Sequence, residues 1–581
     1  MTSTFARTRT MRAALVTTAL ALLIALSAVA PSEAAARPAA LAPATVSVDF
    51  ADRRGVLRRS ERYNNYANEN AFIEQRSADA RFLNEQGLHQ KVHRVWLDYA
   101  FEQCSIETGT CDFSGNTDAY LTDAGHLSDS VLVNLNPDEF IRGERPLKDL
   151  QPLLEVMLGD LKKKYPAVKY VEVFNEPDWK YHGHERHDGR PADEVTLRPG
   201  DLYRFYAPFY KAANEVDEGV RPADRLQIGG PAISVMDPEW MKPFLDDYAA
   251  DRDPHKRLDF ISYHAYMKWD DDYQVPTFYK SDLRQVSSER GDILTWLRER
   301  RIRGRVPSFI TETGIYPGPS YDDRTGTTDY LRQAAGMATY NYVYSRQPDT
   351  YMFNWVVRHF AEGRKDQLVT RVDDGPVPTG IFTPYGNMML MQSKMKDIEV
   401  SATVSGSRED DNGVYAIASK DRTGASLMVW NWQHTNDRSH RATIHMSRLP
   451  RRLGRGPVRL RMFRIDQTTS NYFTDPAGAG LRQVSDEIVR PGAHHDETID
   501  LKPNACTSSS WNPHDAVLRP GFVRSPTPPE SINLDMENVI LRASRRSVVE
   551  EGVGEGSALP GPRFPGRSGG GRAARPGRRA R

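Results

Sequence analysis

Short apolar runs separated by longer amphipathic stretches set the rhythm of residues 46 to 396. Runs rich in β-branched and aromatic residues read as strands, and apolar residues recurring every three or four positions read as helices. The strand-like runs are Val46 to Phe50, Val92 to Tyr99, Val131 to Leu135, Val168 to Phe174, Leu226 to Gly230, Phe260 to Tyr266, Phe309 to Thr313 and Tyr351 to Val357. Helical patterns lie between them. Leu147, Leu150, Leu154, Met157 and Leu161 share one face. Asp201 stands where it can cap a helix through Phe205, Phe209 and Ala212, with Pro208 imposing a kink or a later start. Thr328 to Tyr344 reads as another helix. Strands alternating with helices predict an α/β protein with a parallel sheet, and eight of them predict a (β/α)8 TIM barrel. Val46 to Phe50 suits an N-terminal sheet as well as it suits the first barrel strand.

The texture changes at Asp397. Val400 to Val404, Val414 to Ser419, Ser426 to Trp432, Ala442 to Met446, Val458 to Ile465 and Thr498 to Leu501 are strand-like runs with turn residues and no helices between them, which predicts a C-terminal β-sandwich. The expected organisation is a signal segment over 1–36, the barrel over 37–396, the sandwich over 397–504 and a basic tail over 505–581. The tail carries 12 Arg, no Lys and 7 acids, with abundant Pro, Gly and Ser. Such a segment cannot bury enough apolar surface to offset chain entropy, so disorder is expected; a role in binding a polyanion is the less economical reading. The sandwich also breaks off without a closing strand. A shifted reading frame would produce that, and an intact mass of the native protein would reveal it.

Formal net charge is zero, so the basic tail leaves the rest slightly acidic, with no nucleic-acid footprint. Arg7, Arg9 and Arg12 precede an apolar run from Ala13 to Ala30, and Ala34, Ala35 and Ala36 form a cleavage site of small residues. This is the layout of a secretory signal, and the run is at the short end for a membrane span. The expected mature protein is secreted and extracellular, without a stable membrane anchor. Cys104 and Cys111 are close enough for a small disulfide loop, while Cys506 is left over. No cysteine cluster has zinc-site spacing, and neither a phosphate-binding Gly-rich loop nor a nucleophile elbow occurs.

The chemistry sits in two short segments, Val173-Phe174-Asn175-Glu176-Pro177-Asp178 and Phe309-Ile310-Thr311-Glu312-Thr313-Gly314. Each sets a glutamate at the end of a strand, and strand C-termini of such a barrel converge on the face that carries activity. A pair of carboxylates there is what glycosidic cleavage requires: one protonates the leaving oxygen and the other attacks the anomeric carbon. Glu176 is the candidate acid/base and Glu312 the candidate nucleophile, with a structural ion pair as the competing reading for Glu312. Repulsion between the two carboxylates would keep Glu176 protonated. Asn175 can hold the sugar hydroxyl beside the anomeric carbon. Tyr266 can orient the nucleophile, and His264 can bind sugar hydroxyls or serve as a core histidine. Trp355 offers an apolar platform or a packing ring. Arg94 can hold the nucleophile ionised or act as a barrel cation. His182, His184, His187 and Asp188 crowd the segment after Glu176 too loosely for a metal site, so a substrate loop is expected. The proposed chemistry needs no cofactor and no metal.

Phe174-Asn175-Glu176-Pro177-Asp178, Gly229-Gly230-Pro231-Ala232, Ser262-Tyr263-His264-Ala265-Tyr266 and Thr311-Glu312-Thr313-Gly314, in that order, resemble the clan A retaining glycoside hydrolases. Within that clan the chain looks most like glycoside hydrolase family 39, which includes β-xylosidases and α-L-iduronidases. The resemblance covers His93 to Ile398 by motif and the sandwich by texture. It implies glutamates after the fourth and seventh barrel strands, double displacement with retained configuration, and an oligosaccharide or polysaccharide substrate. An endo-acting glycanase of the same clan, or a carbohydrate-binding barrel without catalysis, are the alternative expectations. The sequence does not specify the sugar or the oligomeric state.

Overall fold

The computed structural model describes residues 41–66, 76–97, 100–113, 115–181, 197–266, 283–315, 330–358, 366–371, 380–406, 412–433 and 438–513. The expected signal segment, the histidines after Glu176 with Asp188, and residues 514–581 of the expected tail lie outside the described residues.

Eight parallel strands close into a barrel in chain order: Tyr63–Asn65, Gln90–Trp96, Ser128–Leu135, Val168–Val173, Gln227–Ile233, Phe260–Tyr266, Ser308–Gly314 and Thr350–Asn354. Seven match the strands expected from the pattern. The first does not. Val46 to Phe50 belongs to the strand Ala42–Val56, which lies in the other sheet, between Ile398–Ser405 and His440–Ser447. The reason is visible in its burial. Ala44, Val46, Val48 and Phe50 are buried while the residues between them are not. One buried face suits a sheet with a solvated side; barrel strands are covered on both faces.

The true first barrel strand is three residues long, and asparagine amides help to hold it. Asn354 Nδ2 donates to the carbonyls of Ser60 and Tyr63, both at 2.8 Å. Asn65 Nδ2 donates to Thr311 O at 2.9 Å across the barrel mouth.

Inside the barrel, Val92, Leu132, Phe260, Phe309 and Phe353 form an apolar floor with Tyr63, Tyr170 and Tyr351. The Phe260 and Phe309 rings stack with centroids 4.5 Å apart. Side chains two residues apart share a strand face. The next inward positions on five strands are therefore Asn65, Arg94, Asn134, Glu172 and Ser262, all buried. An apolar plug with a polar layer directly above it is the base of the site.

The helix Leu150–Lys164 buries Leu150, Leu153, Leu154, Met157, Leu158 and Leu161, while Leu147 lies in the preceding 3-10 turn and is exposed. In the helix Leu202–Val216, Pro208 is accommodated in the interior. Asp201 stands at its N-terminus, but its carboxylate accepts from Arg198 N at 3.0 Å and does not cap that helix. The helix expected from Thr328 is described from Tyr330 to Tyr344.

The second module is a nine-stranded mixed sheet. Val46, Ile444 and Ile499 from one half of it meet Val429, Leu460 and Trp511 from the other in one core, so the sheet folds over as a β-sandwich. Besides the six expected strands it contains Ala42–Val56, Arg482–Val489 and Cys506–Pro513. Cys506–Pro513 pairs on both sides, with Ala425–Trp432 and Val458–Ile465. The sandwich thus runs nine residues past the expected boundary at Asn504, and the closing strand is present. Its Cys-Thr-Ser-Ser-Ser-Trp sequence hides it, because partners on both edges define it more than its own side chains do. Cys104 and Cys111 are joined in a disulfide, and Cys506 is buried with its thiol pKa pushed up by desolvation. Among the described residues no helix is long and apolar enough to cross a membrane.

Candidate active site

Both glutamates reach the barrel mouth through local departures from regular backbone. After the fourth strand, Phe174 and Glu176 adopt positive φ values of 73° and 51°. Such conformations are costly for residues with a Cβ and persist where surrounding contacts hold them. Here Asn134 Nδ2 donates to Phe174 O, and Glu176 N donates to Ala232 O at 2.8 Å. Pro177 then opens the short helix Pro177–Lys180. The Asp178 carboxylate accepts from Ser234 N at 2.8 Å and Ser234 Oγ at 2.7 Å, tying this turn to the fifth strand.

In the seventh strand the register slips by one residue at Thr311. Ile310 pairs with Tyr263, yet Glu312 pairs with His264. Strict alternation from the inward Phe309 would point Thr311 into the barrel and Glu312 out. The extra residue is a β-bulge that turns Glu312 inward. On the sixth strand no such device is needed, since Phe260, Ser262, His264 and Tyr266 follow one another at intervals of two.

The fully buried Arg94 organises the polar layer. Its Nε donates to Glu172 Oε2 at 2.6 Å, Nη1 to Glu312 Oε1 at 2.7 Å and Asn65 Oδ1 at 3.3 Å, and Nη2 to Asn175 Oδ1 at 2.8 Å. Asn134 Nδ2 also donates to Glu172 Oε2 at 2.9 Å. Tyr266 OH donates to Glu312 Oε2 at 2.8 Å. His264 Nδ1 lies 2.8 Å from Glu176 Oε1 and 3.6 Å from Glu312 Oε2. Trp96 Nε1 donates weakly to Asn175 Oδ1 at 3.4 Å, and the Trp96 ring meets Trp355 edge to face with centroids 5.4 Å apart. Trp355 is half-buried on the rim of this cluster.

The two glutamates sit in different surroundings. Desolvation by burial pushes Glu176 up to about 7, and the pull of Arg94 offsets only part of it. Burial is therefore the main cause, where repulsion from Glu312 was expected. Glu312 accepts a charge-assisted hydrogen bond from Arg94 and another from the Tyr266 phenol. Burial and the adjacent carboxylates hold the Tyr266 phenol well above its ordinary pKa, so it stays a donor. Burial lowers His264. Burial also opposes the charge of Arg94, but Glu172 and Glu312 outweigh it and the net pKa is raised.

Arg94, Asn175, Glu176, His264, Tyr266, Glu312 and Trp355 thus come together around one mouth. Glu172, Asn65, Asn134 and Trp96 join them without having been expected from the sequence. Glu172 had a usable signal: it follows the inward Tyr170 by two residues. Glu176, His264 and Glu312 offer donor atoms within 4.8 Å of one another, close enough to be considered as metal ligands. Their lone pairs already face Tyr266, Arg94 and each other, and a guanidinium against Glu312 opposes a second cation.

No family model matches the sequence, and no curated protein matches it significantly. Solved structures do match. A bacterial orthologue of human α-L-iduronidase superposes with a TM-score of 0.61 at 14% identity, covering 82% of this chain and 85% of that one. The GH39 enzyme of Xanthomonas axonopodis pv. citri gives 0.57 at 15% identity, over 83% of this chain and 99% of that one. A monomeric β-xylosidase from Caulobacter crescentus also gives 0.57 at 15%, over 81% and 99%. At these identities the likeness shows the fold: a (β/α)8 barrel with a β-sandwich beside it.

Proposed function

We propose that this protein is a secreted retaining glycosidase of the family 39 type, acting on O-glycosidic bonds with Glu312 as nucleophile and Glu176 as acid/base. The observation that carries this reading is the spacing of the pair. A carboxylate oxygen of Glu176 and one of Glu312 lie within 4.8 Å of each other. Retaining enzymes hold their carboxyl groups about 5–5.5 Å apart, whereas inverting ones need roughly 6.5–9.5 Å to admit a water. In the first step Glu312 bonds to the anomeric carbon as Glu176 transfers its proton to the departing oxygen. Glu176, now a carboxylate, takes a proton from water. The resulting oxygen nucleophile displaces Glu312 and restores the original configuration.

A neutral glycone of the β-xyloside kind fits the described residues. Arg94, the guanidinium of the site, directs four of its five N–H groups to Glu172, Glu312, Asn175 and Asn65, and the two carboxylates among these already oppose its charge, which disfavours a uronic carboxylate there. The structural neighbours include a β-xylosidase. The Cys104–Cys111 bridge supports an oxidising, extracytoplasmic setting, and N-terminal sequencing of secreted material tests that part.

The test of the activity is hydrolysis of aryl β-xylosides, β-glucosides, β-galactosides, α-arabinosides and α-iduronides, with product anomers followed by NMR. Turnover with a first-formed anomer of retained configuration is expected. It should fall by about 10³-fold or more in Glu312→Ala, and azide should restore it in part. An inverted first product, or turnover unchanged by Glu312→Ala, would overturn the assignment. Hydrolysis of polymers alone would shift the reading to an endo-acting glycanase.

A further inference from the structure

Away from the barrel mouth, the junction of barrel and sandwich forms a partly open cavity of about 240 Å³. Its floor is the barrel-facing side of the folded sheet. Cys506 packs with the barrel core and Trp511 with the sandwich core, so alternation along Cys506–Pro513 turns Ser508 and Ser510 toward the barrel. Arg461 pairs with Ser510 and Phe463 with Ser508 on the neighbouring strand, and both line the same cavity. Its roof is the end of the helix Pro384–Ser393, from which Lys394 and Lys396 follow.

Three cations line this space and no carboxylate does. Lys396 is partly occupied, donating to Thr423 Oγ1 at 2.6 Å with Asp421 3.9 Å away. Arg461 Nε is buried without a hydrogen-bond partner. The acid nearest to it, Asp486 at 3.7 Å, is already held by two bonds from Arg459. Lys394 is exposed, and its ammonium makes no hydrogen bond or ion pair among the described residues. Ser508 is a buried residue, and its hydroxyl, like that of Ser510, bonds to no described residue. Hydroxyls without a described partner, beside a lysine free of ion pairs and an arginine Nε that lacks a hydrogen bond, are groups that an oxyanion can engage.

We propose that this cavity binds an oxyanion, sulfate, phosphate or carboxylate, either free or carried on a sugar, with Lys394 and Arg461 supplying charge and Ser508 and Ser510 supplying hydroxyl donors. At about 240 Å³ the cavity falls below the roughly 300–1,000 Å³ of pockets for drug-sized ligands, which suits a small anion or a single sugar ring. Met391 and Phe463 provide an apolar wall for the ring of a sugar-borne anion.

Calorimetric titration of the full chain with sodium sulfate, sodium phosphate, glucuronate, galactose 6-sulfate and glucose, at ionic strength fixed with sodium chloride, tests the site. Saturable binding of the anions and none of glucose is expected. Lys394→Ala and Ser508→Ala should each weaken it, the former about tenfold, with glycosidase activity unchanged. Equal affinity for sulfate and galactose 6-sulfate would identify a free oxyanion as the ligand; tighter binding of the sugar-borne anions would identify an acidic saccharide. No saturable binding up to ~10 mM, or binding unaffected by both substitutions, would overturn the proposal.

Discussion

Each glutamate was legible at the residue scale because a short polar motif follows a strand, whereas the group that organises them was legible only in part. Arg94 stood out as a cation within an apolar strand, but its four partners come from three other strands or their ends, and no local spacing announces them. Replacing it with Met would leave Glu172 buried beside an unpaired Glu312. A cost of about 3–5 kcal/mol in chemical denaturation is expected, together with loss of turnover. Lys would not rescue it, since one ammonium cannot reproduce the fork that holds Glu172, Glu312 and Asn175. Glu176 makes a prediction in pH. In the proposed role it must be protonated to act first as an acid, so kcat/KM should fall as pH rises through about 7, and Glu176→Gln should abolish that limb. Linkage supplies a second readout. The folded pKa is raised above the ordinary 4.5, so the native state binds this proton more tightly than the unfolded chain does. The resulting stability is complete below about pH 4.5 and is lost as pH rises through about 7. Glu176→Gln should therefore raise Tm relative to wild type at pH 8 and not at pH 4.

Strands with continuous apolar runs were readable as elements, and the structure departs from the reading where an element draws its identity from its neighbours. Tyr63–Asn65 has one aromatic residue and two buried asparagines, and is held by bonds from far away in sequence: Asn65 Nδ2 donates to Thr311 O, and Asn354 Nδ2 donates to Tyr63 O. Cys506–Pro513 is a strand because it fills a slot between two others. The bulge at Thr311 is likewise invisible in sequence, although it aims Glu312. The fifth strand shows the converse, a sequence feature whose cause appears only in three dimensions. A Cβ on Gly229 would lie 2.4 Å from both the carbonyl oxygen and the ring of Phe260, and one on Gly230 would lie 3.0 Å from Val173 O. The paired glycines let the fourth, fifth and sixth strands close together, which fixes Ala232 as the acceptor for Glu176 N. Gly229→Ala must displace backbone, since an oxygen of the adjacent strand cannot rotate aside. It should destabilise the protein by about 3 kcal/mol, measured by denaturant unfolding, and should shift Glu176 enough to lower kcat in the fraction that remains folded.

For the whole molecule, the chain cannot be cut at the boundary between barrel and sandwich that its texture suggests. Tyr415, Met428, Trp430 and Trp432 of the sandwich belong to the same apolar cluster as the barrel helices, and Trp430 Nε1 donates to Thr339 Oγ1 at 2.9 Å. The sandwich in turn depends on the N-terminus, because Ala42–Val56 lies within its sheet and pairs with a strand on each side. Removing residues 41–56 would expose the inner edges of Ile398–Ser405 and His440–Ser447 and withdraw Val46, Val48 and Phe50 from the core. Each such side chain contributes about 1.5–3 kcal/mol when fully buried, so together they rival the whole stability of an ordinary domain, about 5–15 kcal/mol. Calorimetry of the intact protein should show one cooperative transition for barrel and sandwich, and the deletion should lower it or abolish folding. Two separate transitions, or a deletion variant whose barrel melts at the original temperature and still turns over substrate, would show that the shared core does not couple the modules. A barrel fragment beginning at Leu57 and ending at Lys396 should fail for the same reason, because Trp430 and its neighbours would no longer cover the helix Tyr330–Tyr344.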